Sequence, residues 1–198
     1  MIDEALGFLL TQVNEYLRLK LGEENVVSLQ RMVGVNGEEL QKSNRVIFQL
    51  INIDEERVGK HQLPVGHAVG GQFPLRNPAI HLNLSVMFTA LGDTNIEPGS
   101  DPDYLRSIRL LGLVVRFFQY RHVFTVVNSP DLPRSLEQLI LELYPVTLDN
   151  QNNLWATLGV KYRPSVVYKV RMLTVFEDAF ADLVGAPYKL GTNFNNEQ

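Results

Sequence analysis

Cysteine is absent from all 198 residues. That excludes disulfides, thiolate nucleophiles and cysteine-ligated zinc or iron–sulfur sites, and it fits a reducing compartment. Long apolar runs are missing as well. The longest uninterrupted tract near the middle, Leu113-Val114-Val115, sits between Gly112 and Arg116, far short of the roughly 18 apolar residues a membrane span needs. The opening Met1-Ile2-Asp3-Glu4 is acidic where a secretory signal is basic. Positive charge is not in excess either: 18 Lys and Arg stand against 22 Asp and Glu, a formal net charge of −4. Generic polyanion binding normally rests on a basic surplus, so neither nucleic acid nor a membrane is an expected partner. A local basic patch stays compatible with that balance.

What is present is ordinary for a globular protein: 45% hydrophobic and 20% charged residues. The length fits one domain with a full core. Ile2 to Lys20 carries Ile2, Ala5, Leu6, Leu9, Val13, Tyr16 and Leu17 at helical spacing, with acidic residues first, Arg18 and Lys20 last, and Gly22 as a stop. A short strand is expected over Asn25 to Arg31 and an Asn36-Gly37 turn after it. Arg45 to Ile53 is apolar on both faces and belongs centrally in a sheet. Val58 to Asn77 holds Gly59, Pro64, Gly66, Gly70, Gly71 and Pro74 and reads as a long loop. Ile80 to Phe88 alternates, with Ile80, Leu82, Leu84, Val86 and Phe88 on one face and Met87 the lone apolar residue on the other.

Ser100-Asp101-Pro102 is a helix start, and the helix from Asp103 to about Tyr120 is apolar over most of its circumference. Its narrow polar stripe is Arg106, Arg109, Arg116 and Gln119, which makes it a core helix with one basic edge. Strands follow over Leu136 to Val146 and Arg163 to Val175. Between them a short helix is capped by Thr147 or Asp149 and stopped by Gly159. Phe176 to Val184 suggests a brief helix, and the end of the chain a loose polar tail. Together these elements make one α+β domain over residues 1–185, with a mainly antiparallel sheet packed against helices and a tail at 186–198.

No reaction chemistry emerges. His61 and His67 lie six apart in the loop, a spacing that suits neither a helical metal pair nor a tight chelating turn. His81 lies on the polar face of its strand without a placed catalytic partner. Gly70-Gly71 is followed by Gln72-Phe73-Pro74, not by the Lys-Ser or Lys-Thr of a phosphate loop. Asp54-Glu55-Glu56 reads as a solvated strand end, Asp101 and Asp103 as helix capping, and Trp155 as core. No catalytic residue, cofactor or metal is expected.

The stretch from Asn152 to Leu173 is different. From Lys161 onward the odd positions include Lys161, Arg163, Lys169 and Arg171, while the even ones include Tyr162, Val166, Tyr168, Val170 and Met172. On a strand these sets face opposite ways. One face then joins the core and the other offers four cations, either as solvated surface or as a stripe that steers a partner. With Arg106, Arg109 and Arg116 of the long helix, these are the candidate partner-interface residues.

At these residues the chain resembles the cap, or tail-terminator, family of contractile injection systems, the phage-tail-like particles that bacteria build to puncture other cells. The resemblance runs through Ile2-Asp3-Glu4-Ala5-Leu6, Leu50-Ile51-Asn52-Ile53-Asp54-Glu55-Glu56 and His81-Leu82-Asn83-Leu84-Ser85-Val86-Met87-Phe88. It continues through Val115-Arg116-Phe117-Phe118-Gln119, His122-Val123-Phe124 and the Asn152 to Leu173 block, covering roughly Ile2 to Val175. It implies a non-enzymatic subunit of a homo-hexameric ring that stops the inner tube and contacts the last sheath layer. It also implies assembly in the bacterial cytoplasm before the subunit becomes part of the particle. Some relatives carry a further C-terminal domain, whose tasks are not expected of these residues. Competing readings are a connector of the same particle, or a small ligand-binding domain built on His61, His67 and Asp54 to Glu56.

Overall fold

Helix α1, Ile2–Leu21, opens the chain. Its apolar stripe buries Ala5, Leu6, Phe8, Leu9, Val13 and Leu17, and Gly22 ends it in the left-handed conformation at φ 71°. The computed structural model describes residues 1–33, 45–56, 72–74, 80–91, 102–175 and 183–185. Within them follow β1 (Val27–Leu29), β2 (Arg45–Glu55), β3 (Gln72–Pro74), β4 (Ile80–Leu91) and α2 (Pro102–Tyr120). The chain continues with β5 (Val123–Thr125), β6 (Gln138–Tyr144), α3 (Leu148–Leu158), β7 (Ser165–Val175) and β8 (Leu183–Gly185).

Six strands form one sheet in the order β1-β2-β4-β7-β6-β5. All pairings in it are antiparallel except β1 with β2, so the expected α+β class with a mainly antiparallel sheet is what the chain adopts. Both faces are covered in part. On one, α1 and α2 close over Val46, Phe48, Leu84, Val86, Phe88, Tyr168 and Val170. Aromatic rings fill this core. Phe88 stacks on Phe48 at 4.6 Å between centroids, and Phe118 lies 5.5 Å from Phe88 and 5.0 Å from Tyr168. Such pairs add about 0.5–1.5 kcal/mol each beyond area burial.

On the other face lies a smaller core of Met32, Ile47, Met87, Leu91, Trp155 and Val167, which gathers Trp155 from α3. It explains why Met87 breaks the alternation of β4: both faces of the sheet are apolar where α3 sits. Thr147 caps α3, its hydroxyl accepting from the Asn150 N–H at 3.4 Å. Gly159 ends α3 at φ 68°, a conformation that favours glycine.

Several expectations need correction. Within the loop expected over Val58 to Asn77, Gln72–Pro74 form β3, and Leu183 and Val184, the end of the expected helix from Phe176, lie in β8, while the rest of both spans lies outside the described residues. These two three-residue strands pair with each other, Phe73 opposite Val184. A long-range pairing of that length leaves no period to read. β5 was not expected either, for the same reason. β7 begins at Ser165, so Lys161 and Arg163 precede the strand. Tyr162 is 62% exposed, resting edge-on against Trp155 at 5.7 Å, and is not core.

β7 also carries an extra residue. Leu82 pairs with Leu173 but Leu84 with Val170, and this bulge restores Leu173 to the face of Tyr168 and Val170. A second bulge falls on β2 between Leu50 and Asn52. The Asn36-Gly37 turn, His61, His67, Gly70-Gly71, the Ser100-Asp101 cap and residues 186–198 lie outside the described residues.

Candidate partner-binding surfaces

The seven cations do not make one stripe. Those of the late block belong to the α3 side of the sheet, and those of α2 to the opposite layer.

Arg171 is engaged within the chain. Its guanidinium donates to Glu142 Oε1 and to Glu56 Oε2, both at 3.3 Å. Glu56 Oε2 also accepts from the Asn83 amide at 3.0 Å. The hydrogen bond and charge of Glu142, with Glu56 beside it, raise the Arg171 pKa further. Arg171 therefore ties β7 to β6 and to the end of β2. Neighbouring Tyr168 faces the aromatic core, and burial pushes its phenol up to about 12.

Lys169 is half-buried and makes no ion pair with a described residue. It lines a cleft of about 380 Å³ with Ile51, Asn52, Asp54, Ser85 and Asn150. Arg163 is half-buried and Lys161 exposed. Tyr144, Val146, Leu154 and Val167 complete the lining, so the cleft is mixed in character, and its lysine can take a carboxylate or a carbonyl.

On α2, Arg106 pairs with Glu23 at 2.5 Å, closing the helix against the end of α1. Arg109 and Arg116 are exposed and form no ion pair among the described residues. Helical phase places them on one side with Leu105, Ile108, Gly112 and Gln119. Leu105 is 70% exposed and Ile108 36%. The apolar circumference of α2 is thus not all core, because two of its large aliphatic residues face outward between arginines. Gly112 lies in the middle of this stripe, and a Cβ there would meet nothing within 4 Å. Glycine in a helix interior costs about 1 kcal/mol relative to alanine, and no described residue packs closely enough to require it. Exposed aliphatic residues beside arginines that have no ion pair among the described residues, with a flat notch at Gly112, make a surface suited to another protein. Sequence reasoning found the arginines and missed Leu105, Ile108 and Gly112. The signal was there in their shared phase.

Among the described residues no group of three or more His, Asp and Glu is placed to hold a metal. No helix among them is long and apolar enough to cross a membrane. His81 Nδ1 lies 3.1 Å from the Thr174 hydroxyl on the neighbouring strand, a cross-strand contact that aligns no nucleophile.

The fold is an α+β domain whose one six-stranded sheet carries α1 and α2 on one face and α3 on the other. A family model described as the Pvc16 N-terminal domain matches residues 4–182, and the chain belongs to that family. It has no match among curated protein sequences. Among solved structures it is similar to the sheath/tube terminator, in the extended state, of PVC, an extracellular contractile injection system. The TM-score is 0.50 with 16% identity, covering 95% of this chain and 63% of that one. It is also similar to the tube-terminating cap of the anti-feeding prophage, at TM-score 0.52 and 15% identity, covering 90% of this chain and 57% of that one. The chain thus spans less than two thirds of either relative. At these identities the likeness concerns the fold.

Proposed function

We propose that this chain is a structural, non-enzymatic cap subunit that closes the distal end of a contractile injection particle as a homo-hexameric ring, ending tube growth and meeting the last sheath layer. The observation that carries the reading is membership of the Pvc16 N-terminal domain family over residues 4–182. The likeness to a sheath/tube terminator and to a tube-terminating cap points the same way. The subunit assembles in the bacterial cytoplasm and then remains part of the particle.

A closed ring uses heterologous contacts, in which two different patches of each subunit meet. Two surfaces of this chain suit that role. The first is the α2 stripe of Leu105, Ile108, Arg109 and Arg116. The second is the cleft of Lys169 on β7, with Arg163 and Lys161 in the segment that leads into that strand. Arg106 and Arg171 support these surfaces from within the chain, through Glu23 and through Glu56 and Glu142.

Co-expression with the particle's tube and sheath subunits, viewed by electron microscopy, tests the reading. Tails of uniform, capped length are expected only when this chain is present. Uniform capped tails in its absence reject it.

A further inference from the structure

An edge strand presents alternate N–H and C=O groups outward, ready to pair with another chain. The six-stranded sheet has two such edges, β1 and β5, and each meets an asparagine side chain. On β1 the inward bonds are Val46 N–H to Val26 O at 3.0 Å and Gln30 N–H to Phe48 O at 3.2 Å. That phase turns both polar groups of Val27 away from the sheet. Both are taken by Asn14 of α1. Its amide donates to Val27 O at 2.9 Å, and its oxygen accepts from the Val27 N–H at 2.9 Å.

The opposite edge repeats the arrangement with different chain segments. Leu141 N–H bonds His122 O at 2.8 Å, so Val123 and Thr125 face outward. Asn128 accepts from the Thr125 N–H at 2.9 Å and donates to Val123 O at 3.0 Å. Asn128 is itself held. Arg121 donates to its carbonyl and to the Ser129 hydroxyl, and also reaches Gln12 of α1 at 3.1 Å. Two unrelated segments thus place a primary amide, which carries one donor side and one acceptor side like a peptide group, where the next strand's peptide would lie.

We propose that Asn14 and Asn128 are edge locks that close both outer strands of the sheet to strand addition by another chain, including a second copy of this one. Contacts across these edges are then made by side chains. Among the described residues, β2 beyond Leu50 and β6 beyond Leu141 run past their short neighbours β1 and β5. The inference is independent of the ring proposed above, because a monomer needs the same protection.

The test is residue-resolved amide exchange with sedimentation velocity on the full chain. Asn14→Ala should speed exchange at Val27, and Asn128→Ala at Thr125, each by about tenfold or more, while Leu84 and Val170 in the central strands stay protected. The double variant should form larger, concentration-dependent species that the wild type does not. Asn14→Asp retains the acceptor, so the Val27 amide should stay slow. Unchanged exchange in the alanine variants overturns the proposal. So does a double variant with open edges that sediments as the wild type does, or a fast Val27 amide in Asn14→Asp.

Discussion

The two faces of the sheet are built differently, and Phe88 and Met87, adjacent on β4, belong to one each. Phe88 enters a continuous aromatic core closed by two long helices, whereas Met87 enters a small cluster under the short α3. Beside α3 the second face mixes Asn52, Asp54, Ser85 and Lys169 with Ile51, Tyr144 and Val146 around a cleft. The larger enclosed core lies on the first face, and the second holds the smaller one with the cleft beside it. The same division recurs within α2, whose inward side carries Val114, Phe117 and Phe118 while its outward side carries Leu105, Ile108, Arg109 and Arg116.

Substitutions can break this comparison. Phe88→Ala should cost about 4 kcal/mol in urea denaturation, since a large ring fully enclosed by other rings leaves a cavity that cannot collapse. Met87→Ala should cost about 2 kcal/mol, at the low end for a buried methionine, because the smaller cluster can close around the gap. Equal losses would mean that the faces share the load. Glu56→Ala should cost about 1–2 kcal/mol, by leaving the buried Asn83 amide without its acceptor and Arg171 with Glu142 alone.

Tyr168 sharpens the same point through pH. Its phenol ionises near 10 when unfolded and at about 12 in the fold. The contribution is therefore fully present below pH 10 and is lost as the pH climbs toward 12. Comparing alkaline melts of wild type and Tyr168→Phe should show the variant losing less stability across that window. The smallest effects belong to the open surfaces. Arg109→Glu with Arg116→Glu should leave unfolding within about 0.5 kcal/mol of wild type yet weaken assembly, most visibly at low salt. Gly112→Ala should raise isolated-chain stability by about 0.5–1 kcal/mol.

Much of this organisation was legible in the residues. α1, the alternation of β4 and the glycine stop of α3 follow from period and capping, which are local. Met87 looked like an exception because alternation assumes one wet face; a second core under α3 makes that assumption fail. The three-residue strands β3, β5 and β8 are too short to carry a period, and β3 and β8 pair with each other across more than a hundred residues. The cationic face of the late block was only partly legible. Charges are visible in a sequence but their partners are not, so nothing near Arg171 announced Glu56, which lies 115 positions away. Bulges on β2 and β7 also shift phase mid-strand, which strict alternation cannot anticipate.

The contact surfaces are the part of the account on which the cap reading most depends. A cryo-EM reconstruction of the assembled tail end containing this chain tests them directly. The account predicts that Leu105, Ile108, Arg109 and Arg116 are covered by a sister subunit or by the particle, with Gly112 against the neighbour's surface. Finding that outward stripe of α2 facing solvent in the assembled particle would contradict it.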